Sequence, residues 1–125
     1  MSIGRKKILI VDDSNTNVVL LEAILRNRGY DILTAMNVKE AYSILETERP
    51  QLILLDLLMP HTNGFQFLED IKKKEVTRNI PVIVVSAVSD EKNKKRTENL
   101  GATDYIEKPV DINELVQKVE TSFSN

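Results

Sequence analysis

The chain has no cysteine, no tryptophan and a single histidine, and glycine and proline occur four times each among its 125 residues. Without cysteine there are no disulfides, no thiolate metal sites and no cysteine nucleophile. That fits a reducing, cytosolic location. One histidine, His61, offers no imidazole pair for a metal and reads as an exposed loop residue. An excess of one charge is also missing. Seventeen Lys and Arg stand against nineteen Asp and Glu, a net charge of -2 that gives no global pull toward nucleic acid or an anionic membrane. Apolar runs such as Ile8–Val11, Leu52–Leu55 and Val82–Val85 stop at four residues, far short of the ~20 a membrane helix needs. Arg5, Lys6 and Lys7 precede an apolar run, as in a signal segment, but the run ends at Asp12-Asp13, before the ~7–15 apolar residues required. What is present is 42% hydrophobic and 29% charged residues, in a length close to the ~100–150 residues of one ordinary domain. The expectation is a single domain over 1–125.

Short apolar runs alternate with amphipathic stretches. Ile8–Val11 reads as a buried strand. Val18, Leu21 and Leu25 recur at helical spacing, with Leu20 and Ile24 widening the stripe and Gly29 ending it. Asp31–Ala35 is a weaker strand. Asn37-x-x-Glu40 resembles a capping box ahead of Ala41, Ile44 and Leu45. Leu52–Leu55 is a third strand, Asn63-Gly64 a turn, and Phe67, Leu68 and Ile71 mark a third helix. Val82–Val85 follows Pro81 as the fourth strand. Glu91–Leu100 is a polar helix closed by Gly101, Asp104–Glu107 a short fifth strand, and Asp111-x-x-Glu114 caps a last helix carrying Ile112, Leu115, Val116, Val119 and Phe123. Five βα units with continuously apolar strands predict an α/β fold, a doubly wound, five-stranded parallel sheet of order 2-1-3-4-5, (βα)5 and flavodoxin-like. In that order ligands bind beyond the carboxyl ends of strands one and three.

Those ends carry chemistry. Strand one runs into Asp12-Asp13, strand three into Asp56, strand four into Ser86, and strand five into Lys108-Pro109. Taken singly, each residue has a plain reading: the aspartates as helix caps, Ser86 as a turn residue, Lys108 as solvated surface. Their joint placement is what points to a site. Three carboxylates in one cleft repel by a few kcal/mol at an effective dielectric of about 20, and a hard divalent cation relieves that repulsion. Mg²⁺ takes one or two carboxylates, several waters and a phosphate oxygen. With an ammonium beside it, such a site suits phosphoryl transfer to an ionised carboxylate.

These residues resemble a known family, the response-regulator receiver domain of two-component signalling. The resemblance covers about Lys7 to Phe123 and is carried by ILIVDDS at 8–14, LILLDLLMPHTNG at 52–64, PVIVVSA at 81–87 and GATDYIEKP at 101–109. It implies that Asp56 accepts a phosphoryl group from a phosphohistidine on a sensor histidine kinase or phosphotransfer protein. Asp12, Asp13, Asp56 and the backbone carbonyl of Leu58 would serve Mg²⁺, with Asp13, Asp56 and that carbonyl as direct ligands. Ser86, in place of the commoner Thr, and Lys108 would bind phosphoryl oxygens. Tyr105 would be the switch aromatic, turning inward as Ser86 moves toward the phosphate; read without the family, it is an ordinary half-buried strand aromatic. The Lys108–Pro109 peptide would be cis. The chain would act as a phosphoprotein switch, not a turnover enzyme, with output to an unknown downstream protein through the fourth helix, fifth strand and fifth helix. That surface leaves room for a homodimer. No direct nucleic-acid or membrane partner is expected.

Other readings use the same residues. A phosphorylation-independent receiver acting as a protein-binding module keeps the fold. A flavin carrier is disfavoured because the first loop, Asp-Asp-Ser-Asn-Thr-Asn, repels phosphate. A phosphohydrolase acting on free substrate lacks a further acid or base and a cap. Two apolar residues, Leu58 and Val88, stand at positions that tune aspartyl-phosphate hydrolysis in the resembled family, so slow autodephosphorylation is expected. The fourth helix carries Lys92, Lys94, Lys95 and Arg96 and has Thr97 where the family often has a small apolar residue. It is expected to be mobile, with its charges either solvated or turned to an acidic partner.

Overall fold

In the computed structural model, residues 4–59, 63–87 and 90–124 are described. The elements run β1 (Lys7–Val11), α1 (Asn15–Asn27), β2 (Asp31–Ala35), α2 (Val38–Thr47), β3 (Leu52–Leu55), α3 (Gly64–Lys73), β4 (Val82–Ser86), α4 (Glu91–Asn99), β5 (Asp104–Glu107) and α5 (Ile112–Phe123). All four strand pairings are parallel and the order is β2-β1-β3-β4-β5. The fold is the doubly wound α/β sheet expected from the strand and helix periodicities.

The alternation of side chains along each strand builds two cores from one sheet. Leu9, Val11, Ile53, Leu55, Val82 and Val84 face α2 and α3, where Ala41, Leu45, Phe67, Leu68 and Ile71 are buried. Ile8, Ile10, Leu52, Leu54, Ile83, Val85 and Ile106 face α1 and α5, against Val18, Leu21, Leu25, Leu115 and Val119. Both faces being covered explains why the central strands read as unbroken apolar runs.

Side-chain caps start most of the helices. Ser14 Oγ accepts from the Asn17 amide, Asn37 Oδ1 from Glu40, and Asp111 Oδ1 from Glu114. Glu40 returns a carboxylate oxygen to the Met36 amide at 2.7 Å, one residue ahead of the cap. Asn63 and Gly64 do not form the free-standing turn expected. Asn63 caps α3, accepting from Gln66 at 3.2 Å, and Gly64 is its first residue. A Cβ on Gly64 would stand 2.8 Å from Leu57 Cα, so the bare glycine lets α3 start against the loop that leaves β3. β1 begins at Lys7 and β4 runs through Ser86, each one residue longer than its apolar run. α4 ends at Asn99 with Leu100 as its cap, and Gly101 at φ +107 makes the exit.

Candidate functional site

Parallel register brings the chemistry together. The Asp12 amide donates to the carbonyl of Ala35 at 3.0 Å, and the Asp56 amide to that of Val11 at 2.9 Å. The Lys108 amide donates to the Ser86 carbonyl, also at 2.9 Å. The sheet's own ladder thus sets Ser86 at the last position of β4 and Asp12, Asp56 and Lys108 at the first positions beyond the carboxyl ends of β1, β3 and β5. The Lys108–Pro109 peptide is cis, as the resemblance implies.

Asp12, Asp56 and Ser86 are almost wholly enclosed, at 2%, 4% and 0% exposure. The Lys108 ammonium lies between two carboxylates, 2.9 Å from Asp12 Oδ2 and 3.1 Å from Asp56 Oδ2. Each carboxylate also accepts a backbone amide from two residues downstream, Asp12 from Ser14 at 2.8 Å and Asp56 from Leu58 at 3.1 Å. Those local bonds fix the carboxylates in aim and tie down the loops that follow. Asp12 is therefore not the cap of α1; Ser14 is, and Asp12 holds Ser14. Leu57 and Met59 anchor the loop after Asp56 by packing inward, while Leu58 between them stays exposed.

Asp13 is exposed, and its carboxylate oxygen joins those of Asp12 and Asp56 within 4.8 Å of one another. Burial pushes the Asp12 carboxyl above its ordinary range, outweighing the Ser14 amide and the Lys108 ammonium that draw it down; the Asp56 charge adds to the rise. Burial would lower Lys108, but its hydrogen bond to Asp12 and the charges of Asp56 and Asp12 leave it above the ordinary lysine value. One ammonium serving two buried carboxylates, with a third carboxylate adjacent, leaves negative charge in excess. All-oxygen donors with that excess suit a hard divalent cation such as Mg²⁺.

Tyr105 is half-buried on β5 and packs against the α2–α3 side of the sheet. The Ser86 side chain hydrogen-bonds its hydroxyl, and Lys94 lies over its ring at 5.6 Å. Val88 and His61 fall outside the described residues.

The family description "Response regulator receiver domain" matches residues 8–120. The chain belongs to that family. Protein PilH of Pseudomonas aeruginosa is 38% identical over 113 residues, covering 90% of this chain and 93% of PilH. The phosphate regulon transcriptional regulatory protein PhoB of the same organism is 37% identical over 115 residues, 92% of this chain. This receiver domain spans 50% of PhoB's length. Among solved structures, the receiver domain of a signal transduction histidine kinase from Syntrophus aciditrophicus superposes with a TM-score of 0.87 at 36% identity. That superposition covers 95% of this chain and 90% of the other. The chain is thus a receiver domain of two-component phosphorelay signalling, a class of switches rather than turnover enzymes. Receiver domains generally bind Mg²⁺ at an acidic pocket and work with histidine kinases or phosphotransfer proteins. Among the described residues no helix is long and apolar enough to cross a membrane.

Sequence reasoning named the carboxylates, Ser86, Lys108 and Tyr105. It missed Gly64 as a support. Its signal was a glycine seven residues before the end of a buried helical stripe, eight after Asp56, which read as turn chemistry.

Proposed function

We propose that residues 1–125 form one receiver domain whose phosphoacceptor is Asp56, with Asp12, Asp13, Asp56 and the Leu58 carbonyl serving Mg²⁺. The observation that carries this reading is the ammonium of Lys108 shared between the buried Asp56 and Asp12, with Asp13 beside them. When bound, Mg²⁺ supplies charge neutralisation for the transferring phosphoryl oxygens.

In the transfer, an Asp56 oxygen attacks phosphorus, a new O–P bond forms, and the P–N bond of the donor phosphohistidine breaks. The imidazole nitrogen that leaves takes up a proton from solvent. Lys108 compensates the phosphoryl charge, and the Ser86 hydroxyl donates a hydrogen bond to a phosphoryl oxygen. The same lysine aims the Asp56 carboxylate before transfer. The donor partner is a sensor histidine kinase or phosphotransfer protein. The output partner is a protein contacting α4, β5 and α5.

Intact mass after incubation with acetyl phosphate and Mg²⁺ tests the assignment. Wild type should gain one phosphoryl group. Asp56→Asn should gain none, and wild type without Mg²⁺ should gain little. Unchanged uptake in Asp56→Asn would move the acceptor elsewhere.

The phosphoryl group should also leave slowly. Leu58 is 53% exposed next to Asp56 and has no side-chain group to place an attacking water. Val88 is the second position in this expectation. Leu58→Asn with Val88→Glu should lose the added mass faster than wild type; an equal or slower loss contradicts this part.

A further inference from the structure

Lys72, Lys73 and Lys74 are consecutive in the chain, yet the end of α3 sends them to three different environments. Lys73 is exposed and pairs with Glu69, one turn back, at 2.8 Å. Lys74, also exposed, has its ammonium 5.1 Å from the centre of the Tyr42 ring. Lys72 turns inward. Its ammonium donates to the carbonyls of Ile80 at 2.6 Å and Arg78 at 3.2 Å. Its stem lies across Gly101, where a Cβ would stand 3.0 Å from Lys72 Cγ and 3.3 Å from Cδ. One side chain thus clamps together the end of α3, the turn before β4 and the exit of α4. Five lysines are drawn partly out of solvent: Lys7, Lys72, Lys94, Lys108 and Lys118. Four of them meet carboxylates, Lys7 on Glu48, Lys94 on Glu107, Lys108 on Asp12 and Asp56, and Lys118 on Asp104. Among the described residues Lys72 has no carboxylate partner, only the two carbonyls.

A carboxylate beside an ammonium keeps its proton on; burial without one works the other way. Burial draws the Lys72 amine below the ordinary lysine value, and no charged neighbour contributes to that shift. Once the proton has left, the neutral nitrogen still has two N–H groups for the two carbonyls, and its lone pair takes the remaining tetrahedral position. Such an amine is a nucleophile at lower pH than a solvated lysine. It lies at the end of α3 away from Asp56, and the chemistry of the acidic cleft makes no use of it. We propose that Lys72 is a site of acylation by acyl phosphates, and that acylation releases the clamp between the α3–β4 turn and the exit of α4. In that step the Lys72 nitrogen attacks the acyl carbon, an N–C bond forms, and the C–O bond to phosphate breaks. Phosphate leaves with the electron pair, and the surplus amine proton goes to solvent. The product is an uncharged amide with a single N–H, which serves only one of the two carbonyls. Acetyl phosphate offers its phosphorus to Asp56 and its acyl carbon to Lys72, so one small molecule marks the two positions with different masses.

The test treats the folded full chain with acetyl phosphate at mildly alkaline pH, without Mg²⁺, to low conversion, and locates the acetyl groups by peptide fragmentation. Lys73 and Lys74 are the internal controls, since they share the local sequence and differ in environment. Lys72 should carry about two- to fivefold more acetyl than either. In urea, where the clamp is gone, the three should react alike. Equal or weaker labelling of Lys72 in the folded chain, or an excess that persists in urea, overturns the acylation site. Asp56→Asn should be labelled at Lys72 as wild type is; a loss there would make the label a product of the acidic cleft and overturn the site as well. The clamp is read separately, by hydrogen exchange. Lys72→Gln matches the acylated side chain in charge and should speed exchange at the Thr77, Arg78 and Ile80 amides, which close the α3–β4 turn. Lys72→Arg keeps the charge and the donors and should stay close to wild type. Unchanged exchange in Lys72→Gln, or equal acceleration in both variants, overturns the release.

Discussion

At the scale of single residues, the site is a problem of charge placement that Lys108 solves in part. Its ammonium is shared by two carboxylates that water hardly reaches. Replacing it with methionine removes the compensation and keeps the bulk. Lys108→Met should abolish phosphoryl uptake and cost stability at neutral pH, by less than the ~3–5 kcal/mol of a broken, wholly buried pair, because the site opens to solvent on the Asp13 side. The pH dependence has a definite sign. A carboxyl raised in the folded state binds its proton more tightly folded than unfolded, so folding gains as pH falls through the carboxylate range. In wild type Asp12 is raised by burial, and Lys108→Met should raise it further. Urea unfolding should therefore show the deficit of Lys108→Met shrinking from pH 7 to pH 5; a constant or growing deficit contradicts it. Lys108 has the opposite window. Its raised value keeps its contribution intact through neutral pH, with loss only as pH rises through the folded value, above the ordinary lysine range. These residues were legible in the sequence because a strand run ending in a charged or hydroxyl residue marks its own carboxyl end. The sharing of one ammonium was not legible, since it depends on side-chain direction across three strands.

At the scale of elements, the helices differ in what holds them. α3 buries Phe67, Leu68 and Ile71 and begins at Gly64, pressed to the backbone of Leu57. Gly64→Ala puts a methyl where no space exists, 3.1 Å from the Asp56 carbonyl oxygen as well. It should destabilise by ~1–3 kcal/mol, the range for overpacking, and slow phosphoryl uptake by shifting the loop behind Asp56. Equal stability and equal uptake would show that the contact is slack. α4 is the contrast. Its one buried residue is Thr97, whose hydroxyl donates to the Lys94 carbonyl of its own helix at 2.8 Å. Apart from its cap Leu100, which packs against the core, α4 is bound to the body at its rim by cations: Lys94 on Glu107 and Tyr105, and Arg96 at 3.9 Å from the Phe65 ring. Hydrogen exchange should find the α4 amides less protected than those of α3. Comparable protection in the two helices would contradict that ranking. The strands and four of the helices were readable from periodicity and caps. α4 was readable only as a polar stretch between Asp90 and Gly101, and its two anchored cations looked like solvated charge, because their partners are 13 and 31 residues distant in sequence. The Asn63-Gly64 pair misled for a related reason: turn chemistry and an Asn cap with a close-packed first residue look the same until the neighbouring loop is in place.

At the scale of the molecule, one sheet separates two cores and delivers every reactive group to a single edge. The α1–α5 layer and the α2–α3 layer are built from alternate residues of the same strands. A shift of register by one residue in β1 or β3 would therefore empty both cores and turn the site residues away together. Stability and function are tied in this way to the same ladder of backbone hydrogen bonds. The receiver family covers residues 8–120, so the site and all of the sheet but Lys7 fall within it. The central claim is that this sheet edge is built to place a phosphoryl group on Asp56. The most direct measurement is intact mass of wild type and Asp56→Asn after acetyl phosphate and Mg²⁺. One added phosphoryl group on wild type, absent from Asp56→Asn, is the predicted result. The same gain on both proteins, or no gain on wild type from either acetyl phosphate or a phosphorylated histidine kinase, would contradict it.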